Sequence, residues 1–315
     1  MQQKRVLTVL VILIAFVAIA ATTMGIFCTE GPGNYTYKSI RGKAVTIYGK
    51  GLYKDMSAEV GPQGIAQDYI TLFLGVPLLL LSLFAARRGS LKGLFLLAGT
   101  LGYFLVTYLF YLVMGMYNMM FLGYVFLAGA SFQAFMLTLL SFNPKRLPLL
   151  FSAATPVKTT GRFLIFNSLA IALLWLSITV PPLADGSIVP IQVEHYTTLI
   201  VQGLDLAILL PAAIIAAVLF IRKRPLGYLL CPVYFIFLSL LMTALTAKVL
   251  AMAMLGYNVI PVIFIIPALN ALSIMCTATI LRHIKNQQLQ ADVNSQKVPT
   301  SASQEIGQGA PERLR

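Results

Sequence analysis

The sequence contains few charged residues and few of the side chains that commonly bind metals. Only 10% of its 315 residues are charged, and it has two histidines, three cysteines and one tryptophan. Soluble domains carry charge on about a quarter of their residues. The low charge content, together with 58% hydrophobic residues and a mean hydropathy of +0.85, therefore excludes an ordinary soluble protein.

The sequence instead contains several long apolar stretches. A bilayer core of about 30 Å is spanned by about 20 helical residues. We predict an all-α integral membrane protein whose eight transmembrane helices cover Arg5–Phe27, Asp68–Ala86, Lys92–Gly115, Met119–Phe142, Arg162–Val180, Thr198–Ile221, Leu226–Gly256 and Val259–Ile284. A signal peptide ending near Ala20 is an alternative for the first stretch, but apolar residues continue through Phe27, which favours an uncleaved helix.

Clusters of basic residues predict the orientation, because cytoplasmic loops retain Lys and Arg. With both termini in the cytoplasm, the pairs Arg87-Arg88 and Lys145-Arg146 and the run Arg222-Lys223-Arg224 all fall on the inner side. The net charge of +13 then reflects topology in a cell (inner) membrane. The basic residues are spread over separate segments, so we predict the lipid bilayer as a partner and no nucleic acid.

The motifs of common catalytic sites are missing. The two histidines, His195 and His283, are predicted on opposite sides of the membrane, and no His or Cys spacing resembles a metal site. Neither a phosphate-binding Gly-Lys-Ser/Thr loop nor a Gly-x-Ser-x-Gly motif occurs. We predict no cofactor, no metal and no catalytic residue. An enzyme that uses Asp68, Asp205 and His195 stays open without specific support.

Polar marks recur in the same order in two parts of the chain, which predicts an internal repeat. The first copy runs from Asp68 through Pro77 and Arg87-Arg88 to Tyr117-Asn118, and the second from Asp205 through Pro211 and Arg222-Lys223-Arg224 to Tyr257-Asn258. The four-helix halves that contain these copies both start on the inner side, so the repeat is predicted to be parallel. We divide the chain into four-helix halves at 1–150 and 151–285, followed by a disordered cytoplasmic tail at 286–315.

The first outer segment, residues 28–67, predicts a small β-hairpin. β-type residues at Lys43–Tyr48 are followed by Gly49-Lys-Gly51, which we interpret as the turn. An isolated hairpin is marginal in water, so it must rest on the helix ends or on the second outer segment.

Four short motifs resemble a group of bacterial multi-pass inner-membrane proteins that have no assigned activity. The motifs are G-x-G-L-Y at Gly49–Tyr53, D-x-x-T-L-F-L-G-V-P-L-L at Asp68–Leu79, R-R-G-S-L-K-G at Arg87–Gly93 and L-D-L-A-I-L-L-P at Leu204–Pro211. The resemblance implies a bacterial inner-membrane setting. It supplies no catalytic residues.

Lys248 is the most informative single residue, because it lies inside a predicted membrane helix. An unpaired charge there costs at least about 2–3 kcal/mol, so a partner is expected. Asp205 lies at a similar predicted depth in the preceding helix, with Gln202 one turn above it. The pair is either an interhelical clamp or a functional site. Asp68 either ends its helix at the membrane interface or forms a second acidic wall of the site, across the axis that relates the two halves. Tyr108 occupies the position in the first copy of the repeat that corresponds to Lys248 in the second.

Two classes of function follow. In the first, the halves form an outward-facing cleft that binds or moves a small polar solute, with Asp205, Lys248, Asp68, Gln202, Tyr108 and His195 as candidate binding residues. In the second, the protein is a membrane scaffold or sensor that presents its outer hairpin to an extracytoplasmic protein.

Overall fold

A computed structural model describes residues 2–285, and within them eight helices are long and apolar enough to cross a membrane. They are α1 (Gln2–Phe27), α2 (Gly61–Arg87), α3 (Leu91–Val113), α4 (Phe121–Leu140), α5 (Val157–Ala184), α6 (Ile200–Ile221), α7 (Pro225–Met254) and α8 (Val262–Arg282). All eight predicted spans are confirmed. The one large boundary error is in α2, which begins well before Asp68. The predicted disordered tail lies outside the described residues.

Helices α2 and α6 share an irregular segment in the middle. Residues Thr71–Gly75 of α2 and Asp205–Leu209 of α6 are π-helical. A proline follows each segment at the same spacing, Pro77 in the first helix and Pro211 in the second. Proline cannot donate the backbone hydrogen bond of a regular helix. The π-bulge absorbs this defect, so each helix continues through its proline.

The turns after α2 and α6 also correspond. Gly89 and Lys223 both have positive φ, at 83° and 52°, and each ends its helix in the left-handed region. Ser90 then caps α3 by accepting a hydrogen bond from the backbone N–H of Gly93 at 3.1 Å. The second turn lacks a side-chain cap, and Pro225 occupies the first turn of α7 instead.

Helices α3 and α7 lie at the centre of the bundle and cross closely. A Cβ at Gly99 of α3 would overlap the Ile236 side chain and lie 2.9 Å from the Val233 carbonyl oxygen, both on α7. Small residues permit such close approach of membrane helices. Helices α2 and α4 pack on α3, α1 packs on α2 and α4, α6 and α8 pack on α7, and α5 packs on α6. The outer helices expose large apolar side chains such as Phe16, Leu173 and Met275, as expected for contact with lipid.

The segment between α1 and α2 contains an antiparallel hairpin. Strand β1 (Tyr35–Lys38) pairs with β2 (Ala44–Ile47), with Tyr35 opposite Ile47 and Lys38 opposite Ala44. The predicted hairpin is confirmed, but its predicted turn is wrong.

The Gly49-Lys-Gly51 segment follows the hairpin and does not close it. Gly49 and Gly51 have φ of 70° and 58°, and Gly51 starts a 3₁₀ turn, Gly51–Tyr53. A Cβ at Gly49 would overlap the backbone of Gly33, and one at Gly51 would overlap that of Cys28. The glycines therefore permit close backbone approach, which a sequence pattern cannot distinguish from a hairpin turn.

The segments before α2 and before α6 pack against each other on the hairpin side of the bundle. We call residues 28–60 and 185–199 the loop cap. Arg41 donates to the carbonyl oxygens of Tyr196 and Thr197 at 2.8 and 2.9 Å. The Tyr196 hydroxyl accepts from the backbone N–H of Ser57 at 3.2 Å. These bonds confirm that the hairpin rests on its counterpart.

Candidate functional site

Lys248 extends from α7 into a region that contains two carboxylates from different helices. Its ammonium group interacts electrostatically with Asp68 of α2 and with Asp205 of α6, and the interaction with Asp68 is the larger. Among residues 2–285, no carboxylate oxygen lies within 4.0 Å of the Lys248 nitrogen. The lysine therefore belongs to a charge cluster of three residues and forms no direct ion pair. We call Asp68, Asp205 and Lys248 the charge triad.

Asp68 is 1% exposed and lies inside α2, so the prediction that it could end a helix is wrong. The Tyr53 hydroxyl donates to Oδ2 at 2.5 Å, and the Tyr111 hydroxyl lies 3.1 Å from Oδ1. Gly25 of α1 packs directly on the carboxylate, because a Cβ at this position would overlap Oδ2. Burial and the Asp68 charge raise the pKa of Tyr53 well above its ordinary value, which keeps the donor protonated.

A group of buried tyrosines surrounds Asp68. Tyr108 is fully buried, and its ring stacks on that of Tyr124 with centroids 6.1 Å apart. The Tyr111 ring contacts both of them edge-on. The hydroxyls of Tyr108 and Tyr124 have no hydrogen-bond partner among the described residues. The structure thus places the predicted Tyr108 beside Asp68, within a cluster that the sequence reasoning missed.

Asp205 occupies the first position of the π-helical segment in α6. Its Oδ2 accepts a hydrogen bond from the indole N–H of Trp175 in α5 at 2.8 Å. On the other side, the Tyr234 hydroxyl of α7 donates to the Leu209 carbonyl at the end of the same segment, at 2.9 Å. The irregular backbone is thereby held between α5 and α7. The sequence analysis missed Trp175, although a lone tryptophan in a membrane helix is a detectable signal.

Gln202 lines a pocket of about 440 Å³ between the loop cap and the ends of α5 and α6. Polar groups in its wall come from Arg41, Gln202, Thr179, Thr197 and Thr198, and apolar groups come from Ile188, Val189, Pro190, Val193, Leu199 and Leu206. The Arg41 guanidinium bonds only to carbonyl oxygens, and no carboxylate of residues 2–285 lies within 4.0 Å of it. The pocket therefore contains an uncompensated positive charge. We call it the cap pocket.

The lining of the cap pocket includes residues next to Asp205 and to its partner Trp175. Thr179 on α5 and Leu206 on α6 both line the pocket, and the Thr179 hydroxyl donates to the Trp175 carbonyl at 3.1 Å. Trp175 is thus one helical turn below the pocket wall, and Asp205 precedes Leu206 in α6. The Trp175–Asp205 hydrogen bond therefore lies next to the cap pocket and joins α5 to the charge triad.

His195 lies in the loop cap, apart from the charge triad and from the lining of the cap pocket. Its Nε2 donates to the Asp55 carbonyl at 3.0 Å, and its ring packs between those of Tyr37 and Tyr196. The buried Nδ1 has no hydrogen-bond partner among the described residues. These contacts join the two segments of the loop cap.

Two acidic residues face each other in the loop cap. Partial burial and the charge of Glu194 raise the pKa of Glu59. Burial also raises the pKa of the neighbouring Tyr196 to about 12, so this hydroxyl remains neutral. Within residues 2–285, no three His, Cys, Asp or Glu side chains are grouped to hold a metal ion.

Within residues 2–285, eight apolar helices of spanning length define the chain as a multi-pass membrane protein. Its sequence matches no protein-family model and no curated protein, and its fold matches no solved structure.

Proposed function

We propose that the protein binds a small polar solute in the cap pocket and transports it across the membrane. The observation that carries this proposal is the position of the pocket, whose lining residues Thr179 and Leu206 lie next to the hydrogen-bonded pair Trp175 and Asp205. Ligand sites commonly combine an apolar wall with a few convergent polar groups, and their volumes start near 300 Å³. The cap pocket has this composition, and its volume of about 440 Å³ suits a small metabolite.

The charge in the pocket favours a solute that carries a carboxylate. The Arg41 guanidinium can bind such a group with two parallel hydrogen bonds. Gln202 and the three threonines of the wall supply further donors and acceptors. The apolar side chains Val193 and Leu206 suit the hydrocarbon part of the solute.

The route proposed from the sequence needs one change. The close crossing at Gly99 leaves little space between α3 and α7 at that point, so we place the route elsewhere. The pocket leads instead to α5, α6 and α7 around Asp205. The π-helical segment supports this route, because such bulges are frequent at functional sites.

The alternative function, a scaffold or sensor, is favoured by two observations. The interface between the central helices is filled at Gly99, and the hairpin exposes Tyr35, Tyr37 and Ile40 to solvent. An extracytoplasmic protein could bind these side chains. This function needs no pocket and no charge triad, so variants in those places separate the two proposals.

We also propose that the two halves of the chain are related by the parallel duplication predicted from the sequence. The π-helical segments, the prolines and the capping turns have equal spacing in 61–93 and 195–227. On this spacing Thr71 corresponds to Asp205, and Asp68 corresponds to Gln202. The two acids of the charge triad then come from different positions of the repeat, which the polar marks alone did not indicate.

We expect reporter fusions to place Lys54 and Asp185 outside the cytoplasm, and Arg88, Lys158 and Arg224 inside. The physical reason is the retention of basic loops on the cytoplasmic side. Paired fusions of alkaline phosphatase and green fluorescent protein at each position give the measurement. Fluorescence from the fusion at Lys54 would invert the proposed topology.

We expect proteoliposomes containing the protein to take up at least one of lactate, succinate and glutamate in a saturable manner, and to exclude glycerol and glucose. Substitution Gln202→Leu should reduce this uptake about tenfold, since it removes a wall amide and leaves polar groups of the solute unpaired. Gln63→Leu is the matched control, because Gln63 bonds only to the Glu59 carbonyl outside the pocket. Equal uptake by empty vesicles, or full uptake by Gln202→Leu, would contradict the proposal.

A further inference from the structure

The charge triad is unbalanced if all of its members are ionised. Two carboxylates and one ammonium group then leave a net negative charge within the membrane-spanning helices. Such charges are costly, and proteins neutralise them by pairing or by protonation. Within residues 2–285, Lys248 is the one cation that interacts electrostatically with either Asp68 or Asp205. One bound proton would make the triad neutral.

The hydrogen bonds distinguish the two carboxyl groups. Each oxygen of Asp68 lies within hydrogen-bond distance of a tyrosine hydroxyl, Tyr53 at Oδ2 and Tyr111 at Oδ1, and the Tyr111 hydroxyl also donates to the Gly64 carbonyl at 3.0 Å. At Asp205 the indole of Trp175 donates to Oδ2, and no hydrogen bond is recorded at Oδ1. Seven side-chain N and O atoms of the described residues are fully buried and lack a hydrogen-bond partner, and Oδ1 of Asp205 is not one of them. This oxygen is therefore not sealed within the protein. Asp205 is therefore the carboxyl group that has an oxygen free to take the proton.

We propose that Asp205 is a proton-binding site that exchanges protons with water in the cap pocket. Binding converts the carboxylate to a carboxylic acid by forming one O–H bond at Oδ1, and no other bond changes. The groups that face Asp205 are Trp175 from α5 and Lys248 and Tyr234 from α7, and Lys248 in turn interacts with Asp68. Once Asp205 is protonated and neutral, the Lys248 ammonium group still interacts with the Asp68 carboxylate and no longer with a charge on Asp205.

Proton binding gives the proposed transport a coupling ion, and this part of the inference rests on the proposed function. A carboxylate solute in the cap pocket would lie near Asp205, and like charges at short distance repel. A proton on Asp205 removes that repulsion. The site therefore favours entry of the anion together with a proton.

Trp175 provides a direct reporter, since it is the one tryptophan of the chain and bonds to Asp205. We expect the intrinsic tryptophan fluorescence of the protein in lipid nanodiscs to follow a single-proton transition between roughly pH 4 and 9. Asp205→Asn should abolish this transition. Asp185→Asn and His195→Gln should leave it unchanged, because both residues lie in the loop cap. Lys248→Gln should move the midpoint upward by about one pH unit or more, because it removes a neighbouring positive charge.

Three outcomes would overturn the inference. They are fluorescence that does not depend on pH in the native sequence, a transition that persists in Asp205→Asn, and a transition lost in Asp68→Asn. Should Asp205→Asn fail to fold, infrared titration of the native protein and of Asp68→Asn decides, since the proposal requires a carboxylic acid band in both. Neither measurement needs a solute, so failure to find uptake leaves this test intact.

Discussion

We expect Gly25→Ala to destabilise the protein by about 3 kcal/mol, a large effect for the addition of one methyl group. The new Cβ would overlap Oδ2 of Asp68 and lie 3.1 Å from the Tyr53 hydroxyl. Relief of the overlap requires either a shift of α1 or loss of the Tyr53–Asp68 hydrogen bond. A buried carboxylate without its donor carries a further cost. Chemical or thermal unfolding in detergent measures the change.

Gly129→Ala is the matched control. Gly129 lies in the exposed face of α4, and a Cβ there meets nothing within 4 Å. This variant should be as stable as the native protein, or more stable by up to about 1 kcal/mol through higher helix propensity. Similar stability of Gly25→Ala and Gly129→Ala would show that α1 does not pack on Asp68.

The number and position of the helices could be predicted from the sequence because a bilayer imposes a length on each apolar run. The start of α2 could not. Gln63 and Gln67 interrupt the apolar pattern before Asp68, and the buried Gln67 is accommodated in the helix because tertiary contacts satisfy its amide. Gln67 donates to the Tyr103 hydroxyl at 2.8 Å. Helix boundaries that depend on such partners are not encoded in local hydropathy.

The charge triad was predicted in part. Asp205 and Lys248 were predicted to be neighbours because they lie at similar depths in consecutive helices. The structure adds that Lys248 interacts more strongly with Asp68. That interaction depends on the packing of the outer half of α7 against α2. Tyr53 and Trp175 were missed for the same reason, since one comes from a loop and the other from α5. Long-range packing leaves no periodic signal in the sequence.

The loop cap illustrates a further limit. The β-type residues at Ala44–Ile47 were identified, but their partner strand, Tyr35–Lys38, is fully exposed and lacks an alternating pattern. Arg41 was not a candidate, because an arginine in a polar loop is ordinary. Its role depends on the second outer segment, which lies far along the chain and supplies the carbonyl groups of Tyr196 and Thr197.

We expect Lys248→Met to destabilise the protein by about 2 kcal/mol near neutral pH. The substitution preserves the apolar stem and leaves two acidic groups without a cation, and removal of one member of a buried charge pair costs about 3–5 kcal/mol. We expect less here, since no carboxylate oxygen of residues 2–285 lies within 4.0 Å of the ammonium nitrogen. The loss should shrink toward pH 5, because protonated carboxyl groups no longer need a cation. Lys158→Met, an exposed change in the first turn of α5, is the control and should stay within about 0.5 kcal/mol.

Double-mutant cycles then assign the partner of Lys248. The changes Asp68→Asn and Asp205→Asn are each combined with Lys248→Met, and unfolding is measured in detergent. Each pair should recover part of the loss, and the recovery should be larger with Asp68, in line with the stronger electrostatic interaction. Interaction energies in membrane proteins are modest, about 0.6 kcal/mol on average for hydrogen-bonded pairs. The partner is therefore assigned by which of the two cycles gives the larger interaction energy. Strictly additive losses in both cycles would mean that the lysine is stabilised by contact with water or headgroups, and the charge triad would not exist as an energetic unit.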